Sequence, residues 1–160
     1  MAVDMFMKID SQKGESKDKA HKDEIDVLAW SWGMSNAGTS HTGGGSGAGK
    51  VHVQDLSFTK YLDKSSPDLM LSCCNGKHYK EAKLTVRKAG EKPLEYLIIT
   101  MSDLLITSVS TGGSGGEDRL TENVVLNFAK VKVEYAEQTA TGTAGDKPKM
   151  TWNIAENVKE

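Results

Sequence analysis

The chain has 160 residues, of which 38% are hydrophobic and 26% charged, with a formal net charge of -2 at pH 7. A domain of this length buries roughly 70% of its unfolded surface and needs no staple. So small a net charge raises no field that gathers nucleic acid, and no run approaches the eighteen or so apolar residues that span a bilayer.

The first residues, MAVDMFMKID, carry Asp4 where a leader would need a basic segment before an apolar one, so no signal peptide is expected and the chain is made in the cytoplasm. Val3 to Ile9 reads as a first strand, with Val3, Met5 and Met7 on one face and Asp4, Phe6 and Lys8 on the other. The next fifteen residues, DSQKGESKDKAHKDE, are nearly all polar and predict a solvated loop whose charges serve solubility. From Glu24 to Met34 the apolar residues change phase, from Ile25 and Val27 to Leu28, Trp30, Trp32 and Met34. Such a change inside one strand predicts a bulge or a barrel corner. With Trp30 and Trp32 in the core, Ser31 faces out.

Ser35 to Lys50 collapses to NAGTSHTGGGSGAG, a long loop without the apolar surface for a core of its own. Gly44, Gly49 and Lys50 fit the phosphate-binding pattern GxxxxGK, but Val51 replaces its hydroxyl residue. The succeeding residues, VHVQDLSFTKYL, have the period of a strand where that motif needs a helix. Nucleotide binding is therefore rejected. Val51 to Leu62 is a second bent strand, with Val51 and Val53 in one phase and Leu56 and Phe58 in the other.

SSPDLMLSCCNGK carries the helix signals: Ser65 or Ser66 at the N-cap, Pro67 in the first turn, Asp68 behind it, and Asn75-Gly76 at the end. Leu69, Met70 and Cys73 make its apolar stripe. Cys73 and Cys74 are adjacent, which strains a bridge between them, and are read as free structural thiols of a reducing compartment.

Beyond His78 the chain is almost all strand. Ala82, Leu84 and Val86 alternate, a turn comes around Gly90 to Pro93, and LEYLIITM reads as a central strand covered on both faces. After a break at Ser102-Asp103, Leu104 to Tyr135 forms a large hairpin, its turn made by Gly112, Gly113, Gly115, Gly116, Glu117, Asp118 and Arg119. Its second arm changes phase, from Val124, Leu126 and Phe128 to Val131, Val133 and Tyr135. A polar connection over about 136–149 leads to a last strand at about 150–154, through Met150, Trp152 and Ile154. The fold class expected is mainly β: one domain over 1–160, a two-sheet β-barrel of about eight strands with one short α-helix on its flank and long extended loops.

No catalytic, cofactor-binding or metal site is expected. His21, His41, His52 and His78 are scattered, the acidic pairs lie in charged loops, and no nucleophile sits beside a base. Strand Leu94 to Met101 has few charges to guard an edge, and edges paired between copies by a closing rotation would give a ring.

The segments MAVDMFMKI, KGESKDKAH, EIDVLAWSWGMS, GAGKVHVQDLSFTKYLDKSSPDLM, GKHYKEAKLTVRKAG, EYLIIT and VSTGGSGGEDRLTENVVLNFAKV resemble the haemolysin-coregulated protein family, Hcp, the tube subunits of the bacterial type VI secretion system. The resemblance runs to about Tyr135. It implies a barrel of two sheets, six copies of which form a ring with a wide pore, the rings stacking into a tube like that of phage tails. It implies partners in the same system: a trimeric spike protein, a contractile sheath and small effector proteins carried in the lumen. It also implies secretion to the exterior or into target cells without a signal peptide, with no membrane insertion and no nucleic acid. By position, Ser31 of WSWG matches a lumen-facing, effector-binding place. Ser40, His41, Thr42, Gly43, Gly44, Gly45, Ser46 and Gly47 match the extended loop that contacts a neighbouring ring or subunit. The other reading is a soluble barrel with a ligand-binding role and no tube. From Ala136 onward only about twenty-five residues remain, too few for a fused effector domain.

Overall fold

The computed structural model describes residues 2–38 and 49–160. In chain order the strands are β1 (Val3–Ile9), β2 (Ile25–Ser31), β3 (Met34–Ser35), β4 (His52–Val53), β5 (Leu56–Tyr61), β6 (His78–Lys88), β7 (Leu94–Gly112), β8 (Thr121–Tyr135), β9 (Lys149–Asn153) and β10 (Val158–Lys159), with helix α1 (Ser66–Asn75) between β5 and β6. The surplus over about eight strands lies in the two-residue pieces β3, β4 and β10. The main sheet runs β10-β9-β8-β5-β2-β1-β6-β7, and β7 pairs back onto β8. That last pairing closes six strands, β8-β5-β2-β1-β6-β7, into an antiparallel barrel, while β9 and β10 extend from β8 and β3-β4 form a separate ribbon.

Each phase change in the sequence has a structural cause. In β2 the register against β5 slips between Val27 and Ala29, so that Leu28 is the extra residue of a bulge, as expected. In the second bent segment the chain breaks at Gln54-Asp55, leaving β4 in the ribbon and β5 in the barrel. The break at Ser102-Asp103 is not an end of a strand: β7 runs through it, with Asp103 at φ 53. There β7 and β8 turn over together. Met101 opposes Val131 and Leu104 opposes Phe128 without a change of register, and all four are buried. Between these pairs both strands place two residues off the core, so the two-strand ladder bends as a unit at a barrel corner. The first half of β7 is central, as expected, because β6 and β8 flank it. It is therefore no free edge, and the reading of Leu94 to Met101 as a pairing edge between copies is overturned. The strand is also buried mainly on one face, through Ile99 and Met101.

Helix α1 begins and ends where the sequence places it, with Pro67 in the first turn and Gly76 at φ 68 closing the last. The capping differs. Ser65 holds the N-cap position without a side-chain capping bond. Its hydroxyl donates to Asp63 Oδ1 at 2.5 Å, and that of Ser66 donates to Glu122 Oε1 at 2.7 Å. Both serines are drawn into a buried charge cluster. Lys60 and Glu122, cross-strand partners on β5 and β8, point into the barrel and are fully buried. Lys60 Nζ bonds Glu122 Oε1, Ser66 Oγ at 2.9 Å and Asp63 Oδ1 at 3.1 Å. The helix buries Ser66, Leu69 and Ser72, with Met70 and Cys73 half-buried. Cys74 is exposed, so only Cys73 fits the structural role expected of both. One helical residue step carries the next side chain about 100° around the axis, off the packed stripe.

The largest correction concerns residues 10–24, which form a strap against the barrel wall and not a solvated loop. Gly14 N donates to Asp23 O at 2.8 Å, and Ser16 N to Glu24 O at 3.0 Å. A Cβ on Gly14 would lie 2.5 Å from Glu24 O, a contact no other residue could tolerate there. Ser16 and His21 are buried. Arg87, on the outer face of β6, is buried beneath the strap and held by Asp18 Oδ2 at 2.5 Å and Asp4 Oδ2 at 3.1 Å. Phe6, assigned to the solvent face of β1, is 4% exposed because the strap covers it.

These buried charges make stability depend on pH and on pairing. The hydrogen bond from Arg87 holds the Asp18 carboxyl down at about 2. A depressed folded-state value means that the stabilisation is complete above the ordinary carboxylate range near pH 4 and disappears as the pH falls toward 2. Asp18→Asn will thus lower the melting temperature at pH 7, and the gap to the parent will close between about pH 4 and pH 2. Urea unfolding should find Lys60→Met destabilised by roughly 3–5 kcal/mol, because Glu122 is left buried without its cation; adding Glu122→Leu should recover most of that loss.

Candidate functional surface

On the wall formed by β2, β5, β8 and the far half of β7, alternation sends Phe58, Val124 and Leu126 inward and leaves small polar residues outside. Two rows cross all four strands. Ser31 opposes Ser57, Ser57 opposes Val125, and Val125 opposes Ser108; beside it run Ala29, Thr59, Asn123 and Ser110. Neither row carries a charge. Ala29, Ser31, Ser108, Ser110 and Asn123 are exposed, and Ser57, Thr59 and Val125 are half-buried. Thr59 Oγ1 donates to Asn123 Oδ1 at 2.5 Å, tying β5 to β8 on the outside.

The two ends of this wall are marked. At one, Thr107 is the extra residue of a bulge between Ile106 and Ser108. Its hydroxyl lies 3.3 Å from Asp55 Oδ2, while Asn127 Nδ2 donates to Asp55 Oδ1 at 2.8 Å. The single carboxylate there is thus held by side chains of two strands. At the other end the hairpin turn folds back over β5: the Arg119 guanidinium sits 3.8 Å from the Tyr61 ring centroid, and Leu62 N donates to Leu120 O at 2.9 Å. Cation–ring contacts at exposed sites are worth about 0.5–1 kcal/mol. Gly112 is the last residue of β7, and Gly113, Gly115, Gly116, Glu117 and Asp118 are exposed in the turn, where Glu117 N donates to Ser114 O at 3.2 Å.

Ser31 is exposed at the end of β2, and Trp30 and Trp32 pack partly buried against the core, as the alternation predicted. The structure therefore brings Ser31 onto one wall with the hairpin turn, at opposite sides of β5. Ser40, His41, Thr42, Gly43, Gly44, Gly45, Ser46 and Gly47 lie outside the described residues. At the root of that segment, Trp32, Met34, Val51, Val53, Val131, Met150 and Trp152 line an apolar cleft of about 240 Å³. Among the described residues no group of three His, Cys, Asp or Glu side chains is placed to hold a metal ion. No helix there is long and apolar enough to cross a membrane.

Sequence reasoning singled out Ser31 and passed over its neighbours. The signal was present in the small polar residues that alternate with the core positions: Ser57 and Thr59 on β5, Asn123 and Asn127 on β8, Ser108 and Ser110 on β7. What was missing was the register that lines them up.

The class defined by this fold is a mainly β protein with a closed six-strand barrel, added strands and one short helix. Residues 6–135 match the family described as "Type VI secretion system effector, Hcp". The chain belongs to that family, and with membership goes a secreted structural role in the type VI secretion system. It is 67% identical over 161 residues to Protein hcp1 of Pseudomonas aeruginosa, covering 99% of each chain. Among solved structures, Hcp1 from Salmonella typhimurium is 37% identical with a TM-score of 0.82 over 100% of both chains. A structure described as that of a type six secretion system protein reaches a TM-score of 0.94 at 30% identity, over 99% of this chain and 100% of that one.

Proposed function

We propose that the protein is the subunit of an inner tube: six copies close into a ring, rings stack, and the pore so formed carries small effector proteins. The observation that carries this reading is the uncharged double row of small side chains across four strands, in a chain of the Hcp family. A wall that carries cargo must be wetted and must hold it only loosely. Short Ser, Thr and Asn side chains meet both needs, since they hydrogen-bond water without the long apolar stems or strong charges that make hot spots. Ser31, at the edge of these rows, is the effector-contact residue in this reading, and the segment 40–47 supplies contacts to a neighbouring ring or subunit. The spike protein and the sheath of the same system are the remaining partners, and export is through the machine itself.

Light scattering after size exclusion, over a dilution series, should find a species near six times 17.3 kDa. The mass of a single chain at every concentration would overturn the ring and favour a soluble barrel that binds a ligand. Ser31→Arg, which leaves the buried face of β2 untouched, should keep that mass and weaken co-purification of effectors at least tenfold. Unchanged effector recovery would remove Ser31 from the contact.

A further inference from the structure

Outside the polar wall, a cluster of ionisable groups lies where the strap crosses β1, β6 and β7. His21 is its centre. The imidazole is 7% exposed and stacks on Phe6 of β1, with ring centroids 4.3 Å apart and planes 10° from parallel. Its Nδ1 lies 2.6 Å from Glu24 Oε2, and its Nε2 lies 2.7 Å from Glu95 Oε1. Glu24 belongs to the strap's own end, whereas Glu95 stands on β7, seventy-four residues away in sequence. Both acceptors are carboxylates, which ionised have no hydrogen to give. Two such bonds therefore require a hydrogen on each ring nitrogen, and only the imidazolium has both. A neutral ring must leave one carboxylate facing a lone pair at hydrogen-bond distance.

Other charged groups stand around this bridge: Arg87 is the cross-strand partner of Glu95, and Glu134, Lys147 and Lys149 line a cleft with Glu95. On the strap, Asp18 Oδ1 accepts from the backbone N of His21 at 3.3 Å and its carboxylate pairs with Arg87. On β6, the Arg87 guanidinium lies 5.1 Å from the Phe6 ring centroid and is bound by Asp18 and by Asp4 of β1. Arg87 thus has its own two carboxylates, and among the described residues the ion-pair contacts of Glu24 and Glu95 are with His21.

We propose that residues 14–24 form a proton-dependent latch, in which doubly protonated His21 bridges Glu24 and Glu95 and pins the strap over Phe6 and Arg87, and loss of one ring proton frees the strap from β7. The sign is set by the bonding. Latching stabilises the folded chain while the ring is charged and the glutamates are ionised, and that contribution is lost as rising pH takes one proton from the ring. Arg87 stays charged throughout, so Asp18 keeps its own anchor and release begins at the Glu95 end.

The test uses the full chain with two variants. His21→Gln removes the cation. Glu95→Gln, at a side chain 38% exposed, leaves the core intact and offers either an acceptor or a donor to the ring. At pH 5.5 the parent should melt roughly 3–6 °C above His21→Gln, the effect of one charge-assisted bond of about 1.5 kcal/mol in a chain of this size. At pH 8.5 the gap should shrink at least threefold, and Glu95→Gln should show a flatter pH dependence than the parent. Amide exchange in residues 14–24, corrected for intrinsic rates, should accelerate at least tenfold in the parent between these pH values, with light scattering at both to register any change of assembly. Should His21→Gln not fold, Glu95→Gln and the exchange measurement carry the test. A gap equal at both pH values, a ring nitrogen without hydrogen in the NMR spectrum at pH 5.5, or strap exchange unaltered by pH would each overturn the latch.

Discussion

The pairing of β7 with β8, from Leu97 opposite Tyr135 to Gly112 opposite Thr121, is the constraint on which the rest of the barrel depends. A strand of 19 residues extends roughly 60 Å at about 3.3 Å per residue. That is too long to stay flat against one core, because twist accumulates along it. The strain is relieved at the Asp103 bend and at the Thr107 bulge. The near half of β7 then pairs with β6, while on the far side β8 gives its first half to β5 and its second to β9. Each of the two long strands therefore serves two walls. Remove their ladder and β7 parts from β8, so the barrel opens into one sheet, β10-β9-β8-β5-β2-β1-β6-β7, in which β7 is a free edge, a state that invites aggregation.

Two buried cations fix how the remaining pieces dock onto that frame. Lys60 joins β5, β8 and the start of α1 by binding Glu122, Asp63 and Ser66. Arg87 joins β6, β1 and the strap through Asp4 and Asp18. Neither arrangement is the most stabilising way to fill space, since desolvating an ion pair costs about as much as its attraction returns, and apolar residues of similar volume do as well or better. What the charges add is intolerance of other arrangements. A one-residue slip of β5 against β8 would turn Lys60 outward and leave Glu122 buried alone, so these pairs penalise alternative registers more than they reward the correct one.

This division explains what could be read from the sequence. Core positions, bulges and the helix ends are local in cause: the phase of Ile25, Val27, Trp30 and Trp32 announces the Leu28 bulge, and Pro67 and Gly76 bracket α1. The strap was not legible, because its residues look alike whether solvated or buried. KGESKDKAHKDE contains nothing local to say that Asp18 meets an arginine sixty-nine residues on, or that His21 meets Glu95. A hint was on β1, where the apolar Phe6 alternates into a position that an isolated barrel wall would leave in water. Serine as a capping residue misled for a similar reason: Ser65 and Ser66 sit where capping predicts them, yet Asp63 and Glu122 outcompete the backbone amides for their hydroxyls. Ser31 was placed by alternation alone, and its neighbours needed the register.

The two faces of the barrel also divide the work between them. One wall uses its outward residues to bind its own strap, through Arg87, Phe6 and Glu95, and the strap becomes in effect a third layer of the fold. The other leaves Ser31, Ser57, Thr59, Asn123, Ser108 and Ser110 with little to bind inside the chain except each other. A folded protein gains nothing in stability from such a surface, since its side chains are too short to pack and too polar to drive association by burial. Its uniformity over four strands therefore calls for a reason outside the single chain. In the tube proposed above, a pore lining supplies one: water-bearing, uncharged and shallow, it would let a passenger slide because no position offers a deep well.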